Sequence, residues 1–201
     1  MTNLVLTRHG ETVWHAENRY AGATDIELTP RGIAQADRLA AWTRTAKLAA
    51  VWASPLSRAR VTAMACAEAT GMEPRTDARL RELDFGGGEG LTSADMWERF
   101  PDARAAFEAD PVASPLPGGE DPREAARRFV DCLEDIAGAH PGERVLVVAH
   151  TTAIRLALCY LIGVPLGEYR RLFPRLDNCA ITEIRLRDGK AAILQLNSPS
   201  L

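Results

Sequence analysis

Val145-Leu146-Val147-Val148 is a run of four apolar residues with no polar side chain alternating among them. Successive side chains of a strand point to opposite faces of a sheet, so this run presents two apolar faces and needs cover on both. That is the situation of an interior strand in a parallel sheet with helices above and below. Two shorter runs repeat it, Leu4-Val5-Leu6-Thr7 and Ala50-Val51-Trp52-Ala53. The segments between them have helical spacing. Thr29-Pro30 reads as an N-cap with Pro at the first helical position, followed by Ile33, Ala36, Leu39, Ala40 and Trp42. Ser54-Pro55 closes the second strand and opens a helix through about Ala69, ending near Gly71. Asp121-Pro122-Arg123-Glu124 combines N-cap, Pro and a Glu at N3, and its helix should reach about Ala139. His150 follows Val145–Val148 and Ala149 directly, and a further helix is expected after it, to about Ile162. Strands alternating with helices predict an α/β fold, a three-layer α/β/α sandwich around a mostly parallel sheet. Runs near 179–186 and 191–196 flank Asp188-Gly189, a hairpin signal.

The rest is punctuation. Residues Gly10 to Leu28 read as a loop, as do 75–91 around Gly86-Gly87-Gly88 and the Pro- and Gly-rich stretch from Asp110 to Gly119. Two short helices are expected near 93–100 and 102–109. No repeat or interdomain linker interrupts the chain, which predicts one domain over 1–201 with 84–120 inserted over the site. The formal net charge of −3 offers no basic excess for nucleic acid. No run approaches the ~18 apolar residues of a membrane span. Met1-Thr2-Asn3-Leu4 lacks a basic leader, so the cytoplasm is the expected location. Cys66, Cys132, Cys159 and Cys179 form no C-x-x-C pair and read as small buried hydrophobes.

Chemistry gathers after the strands. Arg8-His9-Gly10-Glu11-Thr12 follows the first, His150-Thr151-Thr152 follows Val145–Val148, and Ser54-Pro55-Leu56-Ser57-Arg58 follows the second. In open α/β sheets the ligand crevice lies outside the carboxyl ends of the strands. Arg8 and Arg58 each offer a planar fork of donors suited to phosphate oxygens. A neutral imidazole can attack phosphorus, since phosphoryl transfer asks chiefly for positioning and charge neutralisation. A carboxylic acid of raised pKa would supply the leaving group's proton.

These residues resemble the histidine phosphatase superfamily, in its phosphoglycerate-mutase-like branch. The likeness begins at Leu6-Thr7-Arg8-His9-Gly10-Glu11-Thr12 and continues through Glu17–Gly22, Asp25 and Leu28–Ala36. It extends through Ser54–Ala59, Leu80-Arg81-Glu82-Leu83-Asp84-Phe85-Gly86 and Pro117-Gly118-Gly119-Glu120. It closes with Val147–His150 and Asp177–Thr182, in family order across nearly the whole chain. The resemblance implies metal-independent hydrolysis of a small phosphomonoester through a phosphohistidine on His9, with no cofactor. Position by position, it makes Arg8 and Arg58 phosphate ligands, His150 a transition-state donor and Glu82 the general acid. It also implies an antiparallel strand at the sheet edge, and a homodimer is compatible with such a family.

Two departures bear on the pocket. His15 stands where the family often has a phosphate-binding Asn; it can donate too, and a charge on it would make the pocket more cationic and pH-sensitive. Thr151 and Thr152 stand where small residues are usual, though the Thr151 backbone N–H can still face phosphate. Gly87-Gly88 replaces a tryptophan frequent in ribazole-phosphatase-like relatives. Glu11 reads as bracing an arginine, Trp52 as core and His140 as a helix-end residue; Trp14 and Trp97 are open between cleft and packing. The separations among His9, His15, Glu82 and His150 match no compact metal motif, and two arginines would oppose a cation. Two rival functions stay open: a phosphoglycerate-type phosphomutase, usually longer in this family, and a non-enzymatic binding protein on the same fold. The natural substrate is not encoded in any motif, the Pro117–Glu120 block being one hint of a ribazole-phosphate type.

Overall fold

The structure, a computed structural model, describes residues 1–200. Six strands form one sheet: β1 (Thr2–Arg8), β2 (Ala50–Ala53), β3 (Arg75–Thr76), β4 (Arg144–Ala149), β5 (Ile181–Arg187) and β6 (Lys190–Ser198). Their spatial order is β3-β2-β4-β1-β5-β6. β1 to β4 run parallel, while β5 and β6 add antiparallel to the β1 side. The expected mostly parallel sheet with an antiparallel edge is therefore present.

Its two faces are both dry. Leu4, Leu6, Val145 and Val147 join a core with Phe129, Leu133 and Leu158. These last lie on helices α6 (Pro122–Ala139) and α7 (Thr151–Ile162). Val5, Leu146, Val148 and Val51 point the other way, onto Leu39, Ala63 and Cys66. Those belong to α2 (Pro30–Thr43) and α3 (Ser57–Thr70). The period of two within each apolar run thus divides the strand between two helical layers. All four cysteines are buried and free, and burial pushes the Cys132 and Cys179 thiols up to about 12.

Two helix starts carry the expected side-chain cap, although Glu124 pairs with Arg127 and not with the N-cap backbone. The Thr29 hydroxyl accepts from Gly32 N–H ahead of Pro30, and the Asp121 carboxylate from Arg123 N–H ahead of Pro122. In the β5–β6 turn Asp188 and Gly189 both have positive φ, 50° and 70°, as a two-residue type I′ hairpin requires.

Several local expectations need correction. The helix after β2 begins at Ser57, not at Ser54-Pro55, because Leu56 remains extended. Its cap comes from far away: the Asp25 carboxylate accepts from Ser57 N (2.8 Å) and Ser57 Oγ (2.6 Å). The 10–28 loop contains a one-turn helix, α1 (Val13–Ala16), capped by Thr12. Residues 75–91 include β3 and two 3₁₀ turns, one formed by Gly86–Gly88 itself. Helices α4 (Ser93–Arg99) and α5 (Pro101–Ala109) occupy the expected places, and α8 (Tyr169–Leu172) follows α7. The 84–120 segment sends Phe85, Met96, Phe107 and Leu116 into the same core as Phe129 and Leu133. Trp52 is only half-buried, with the Arg75 guanidinium 5.6 Å over its ring.

Candidate active site

The sheet register brings the two histidines together. β1 and β4 are adjacent and parallel, with Arg8 opposite Ala149. The next residue of each strand is a histidine, and His9 N–H donates to Ala149 O at 3.1 Å. The His9 and His150 rings consequently lie 5.1 Å apart, and the His15 ring stands 5.4 Å from that of His9. Arg58 arrives from β2's carboxyl end through the first turn of α3. His9, Arg58 and His150 are 1%, 0% and 0% exposed.

His9 has a fixed tautomer. Its Nδ1 stands 2.6 Å from Gly10 O, and a carbonyl oxygen only accepts, so Nδ1 carries the proton and Nε2 keeps its lone pair. The loop behind this bond is itself tied down. Gly10 N–H donates to Thr62 Oγ1 of α3 (3.1 Å), and Asn178 Nδ2 donates to His9 O (2.8 Å). Gly10 must be glycine, since a Cβ there would meet Gly32 O at 2.4 Å.

Burial and neighbouring positive groups set the charges. His9 is held well below the ordinary histidine range by burial first, then by His150, Arg58, His15 and Arg8. His150 is lowered likewise, by burial and then Arg58. His15 falls to about 3 through burial and the charges of Arg8 and Arg58. It is therefore a neutral ring, bonded through Nδ1 to Thr12 Oγ1 at 2.7 Å. Burial first, and then the two arginines, favour the neutral form of His15 over the charged one considered from the sequence.

Four polar atoms of this cluster are buried without a partner: Arg8 Nε, Arg58 Nε and both ring nitrogens of His150. Each such group costs free energy until something bonds it. The remaining bonds hold the arginines by backbone oxygens rather than carboxylates. Arg8 Nη1 donates to Leu176 O (3.1 Å), and Arg58 to Gly22 O (2.6 Å) and Thr24 O (2.8 Å).

Glu82 enters from the irregular segment between β3 and α4. Its carboxylate accepts from Leu83 N (2.8 Å), Ala153 N (2.8 Å) and Thr152 N (3.0 Å), docking it on the N-terminus of α7. Burial raises its pKa, against the lowering by those N–H groups and by Arg58. Oε1 takes two of the bonds and Oε2 one, which leaves Oε2 better able to carry a proton.

A cavity of about 410 Å³ opens onto this cluster. It is lined by Arg8, Glu11, His15, Asn18, Arg19, Tyr20, Ala21, Glu82, Phe85, Thr151, Thr152 and Asn178. His9, Arg58 and His150 do not line it; they are buried. Of the site residues singled out in the sequence, Arg8, His15, Glu82 and Thr151 line the cavity, and the His9 ring lies 5.4 Å from that of His15 and 5.1 Å from that of His150. Trp14 and Trp97 do not line the cavity: the Trp14 ring packs on Gly90, and Trp97 is exposed. Glu11 faces Arg31 at 3.6 Å, and His140 caps α6 with Nδ1 2.8 Å from Glu143. Asn178, Tyr20 and Phe85 went unassigned at the level of sequence. Asn178 sits within a recognised block, but its strap to His9 O depends on the β1–β5 pairing.

A histidine with one free ring nitrogen, walled by unpartnered cationic donors and a buried carboxyl, defines a phosphate-handling enzyme of the α/β class. Residues 4–199 match the model of the histidine phosphatase superfamily (branch 1), and the chain belongs to that superfamily. It is 32% identical to phosphoserine phosphatase 1 of Hydrogenobacter thermophilus, over 98% of this chain and 92% of the relative. It is 35% identical to the probable phosphoglycerate mutase GpmB of Citrobacter koseri, over 94% and 87%. Bacillus stearothermophilus YhfR superposes with a TM-score of 0.92, covering 98% of both chains at 29% identity. The protein is a phosphoric monoester hydrolase.

Proposed function

We propose that hydrolysis runs through a phosphohistidine on Nε2 of His9, without a metal ion, on a small phosphorylated metabolite. The observation that carries this reading is the free Nε2 of His9 beside buried, unpartnered donors of Arg8, Arg58 and His150. Those donors suit the oxygens of a phosphoryl group, which needs its charge spread and neutralised as the bond to the leaving oxygen breaks. The Thr151 backbone N–H, at the start of α7, supplies a further donor and the positive end of a helix dipole.

In the first half-reaction Nε2 gives its lone pair to phosphorus. The P–O bond to the leaving group breaks, its electrons stay on oxygen, and the Glu82 proton passes to that oxygen. In the second, Glu82, now a carboxylate, takes a proton from water as its oxygen attacks phosphorus. The N–P bond breaks, its electrons return to Nε2, and inorganic phosphate and protonated Glu82 remain. The water-excluded setting that lowers the His9 pKa keeps its lone pair available.

Substrates of phosphoserine or phosphoglycerate size match the 410 Å³ cavity and the activity named for the 32% identical relative. The phosphoglycerate-mutase name of the 35% identical relative favours a second reading, in which the phosphoryl group returns to another hydroxyl. Action in the cytoplasm, with no nucleic-acid or membrane partner, is consistent with the net charge of −3 and four free thiols. No helix among the described residues is long and apolar enough to cross a membrane. The 84–120 segment contributes Phe85 to the cavity lining.

The test is turnover in EDTA with ³²P-labelled phosphomonoester, followed by rapid quench. An acid-labile, base-stable protein adduct, absent in His9→Ala, is expected, with release of inorganic phosphate. Turnover abolished by EDTA, or an adduct surviving His9→Ala, would overturn the reading. Quantitative return of label to an organic acceptor would favour the mutase.

A further inference from the structure

The block Pro117-Gly118-Gly119-Glu120 does not face the cavity. It runs beside the segment that carries Glu82: Gly87 N–H donates to Pro117 O (2.8 Å) and Glu120 N–H to Asp84 O (2.9 Å). The Glu120 carboxylate then meets Arg128, two turns into α6, in a bidentate pair with N–O distances of 2.7 and 2.8 Å. Asp84 N–H also donates to Glu120 Oε2 at 3.3 Å. Both side chains are mostly buried, 15% and 20% exposed.

The rest of the Arg128 guanidinium is used on backbone. Nη1 donates to Arg79 O (2.7 Å) and Arg81 O (2.9 Å), and Nη2 to Glu82 O (2.9 Å). With the two bonds to Glu120, all five of its N–H donors are occupied. A guanidinium that gathers carbonyls from both sides of one residue fixes that residue's backbone, because its donors lie in one rigid plane. The Glu82 side chain is anchored separately, on the N–H groups of Leu83, Thr152 and Ala153. Arg128 therefore holds one end of Glu82 and α7 the other.

We infer that Arg128 and Glu120 are a positioning pair for the proton donor Glu82, setting the reach of its carboxyl toward the leaving oxygen. This rests on the reading of Glu82 as general acid. Neither residue lines the cavity, and Arg128 bonds only to Glu120 and to the backbone carbonyls of Arg79, Arg81 and Glu82, so its loss acts chiefly on protonation of the leaving group rather than on phosphoryl capture by His9. Lysine cannot substitute, having three donors on a flexible stem and no plane.

The experiment measures kcat/KM for Arg128→Lys, Arg128→Gln, Glu120→Gln and Glu82→Gln on p-nitrophenyl phosphate, phenyl phosphate and an alkyl phosphate. A misplaced catalytic group costs up to ~100-fold, so Arg128→Lys should lose roughly 30-fold on the alkyl ester and under about threefold on p-nitrophenyl phosphate. Glu120→Gln should show the same slope against leaving-group pKa, less steeply. Turnover of p-nitrophenyl phosphate also reports that each variant is folded. Equal losses on all three esters, or none, in the Arg128 and Glu120 variants would overturn the inference while Glu82→Gln keeps its leaving-group dependence. A flat response of Glu82→Gln itself would remove the general-acid reading, and the positioning role with it.

Discussion

The Nδ1 of His9 donates a 2.6 Å hydrogen bond to the carbonyl oxygen of Gly10, the residue that follows it. Because this carbonyl is held by a loop anchored to α3 through Thr62, the ring cannot exchange its two nitrogens. Phosphorus NMR of the trapped intermediate should therefore show the phosphoryl group on Nε2. Modification of Nδ1 would contradict the assignment. Gly32→Ala provides a second check from a distance. A Cβ at Gly32 would lie 2.1 Å from Glu11 O, so the 10–11 loop must shift and take the Gly10 carbonyl with it. Turnover should fall about tenfold or more, as expected when a catalytic group is displaced by a fraction of an ångström.

The same burial that frees Nε2 sets the pH behaviour. His9 and His150 lie well below the ordinary value of 6.5, so both stay neutral as pH falls through it. Glu82 is raised above 4.5 and retains its proton to higher pH than a free carboxyl. For an alkyl phosphate, kcat/KM should rise with pH on an acid limb below 6.5 and fall again on a limb set by Glu82. For p-nitrophenyl phosphate, whose leaving group needs no proton, the second limb should flatten. An acid limb at 6.5 or above would show that the nucleophile is not a desolvated histidine.

Stability follows from the same shifts with a definite sign. In the unfolded chain His9, His15 and His150 take up protons near 6.5, whereas folded they resist, His15 down to about 3. The unfolded state then binds more protons, so this contribution is complete above 6.5 and is lost as pH falls toward the folded values. The slope approaches about 1.4 kcal/mol per pH unit for each histidine at most. Glu82 has the opposite sign: its contribution is present below 4.5 and fades as pH rises through its raised folded value. Thermal melts should therefore drop on acidification below 6.5. Vanadate or phosphate should restore them by supplying the missing acceptors of Arg8, Arg58 and His150, by about 2.7 kcal/mol at 100 times Kd. Melts insensitive to both anions would mean that those donors are not an anion site.

His15→Asn separates packing from charge. The neutral His15 ring stands 5.4 Å from His9 and is tethered by Thr12. Replacement by Asn should leave the acid limb of kcat/KM where it is. Inhibition by inorganic phosphate should change no more than about tenfold, the worth of one hydrogen bond. A limb displaced by half a pH unit would restore the charged role that Arg8 and Arg58 argue against.

What was legible in the chain were features with local causes. Four-residue apolar runs announced the interior strands, Thr29-Pro30 and Asp121-Pro122 the helix starts, and Asp188-Gly189 the hairpin. Arg8, His9 and His150 could be placed because each sits at or just beyond a strand end, where register alone brings them together. The rest depended on contacts between distant segments. The Ser57 helix start is capped by Asp25, 32 residues earlier. Arg128 reaches Glu82 across 46 residues. A hydrogen bond of that span has no periodicity to betray it. The state of His15 depends likewise on tertiary structure, since burial comes first among the causes that hold it neutral and Arg58, 43 residues further on, adds to the effect of the nearby Arg8.

Glu89 provides the sharpest case of such a remote contact with consequences for catalysis. Its carboxylate accepts from Ala23 N (2.7 Å), Thr24 N (2.8 Å), the Thr24 hydroxyl and Phe85 N (3.2 Å). Gly22 and Thr24, on either side of Ala23, give the carbonyls that hold the Arg58 guanidinium. A Cβ on Gly22 would meet Glu89 Oε1 at 2.4 Å, so glycine is what lets the carboxylate this close. Although burial alone would raise its pKa, these donors bring Glu89 below the usual carboxylate value, and it stays charged through the assay range. Glu89→Ala strands three backbone N–H groups and slackens the loop behind Arg58. Stability should fall by about 1 kcal/mol, the low end of the ~1–3 kcal/mol cost of an unsatisfied donor, since the Thr24 N–H is exposed to water and those of Ala23 and Phe85 are part-buried. Phosphate inhibition should weaken by about tenfold as Arg58 loses its fixed direction, the equivalent of ~1.4 kcal/mol. Glu89→Gln keeps an acceptor oxygen and should recover much of both losses. If Glu89→Ala lowered the melting temperature yet bound phosphate like the parent, Arg58 would be held by its own packing and the loop would be irrelevant to it.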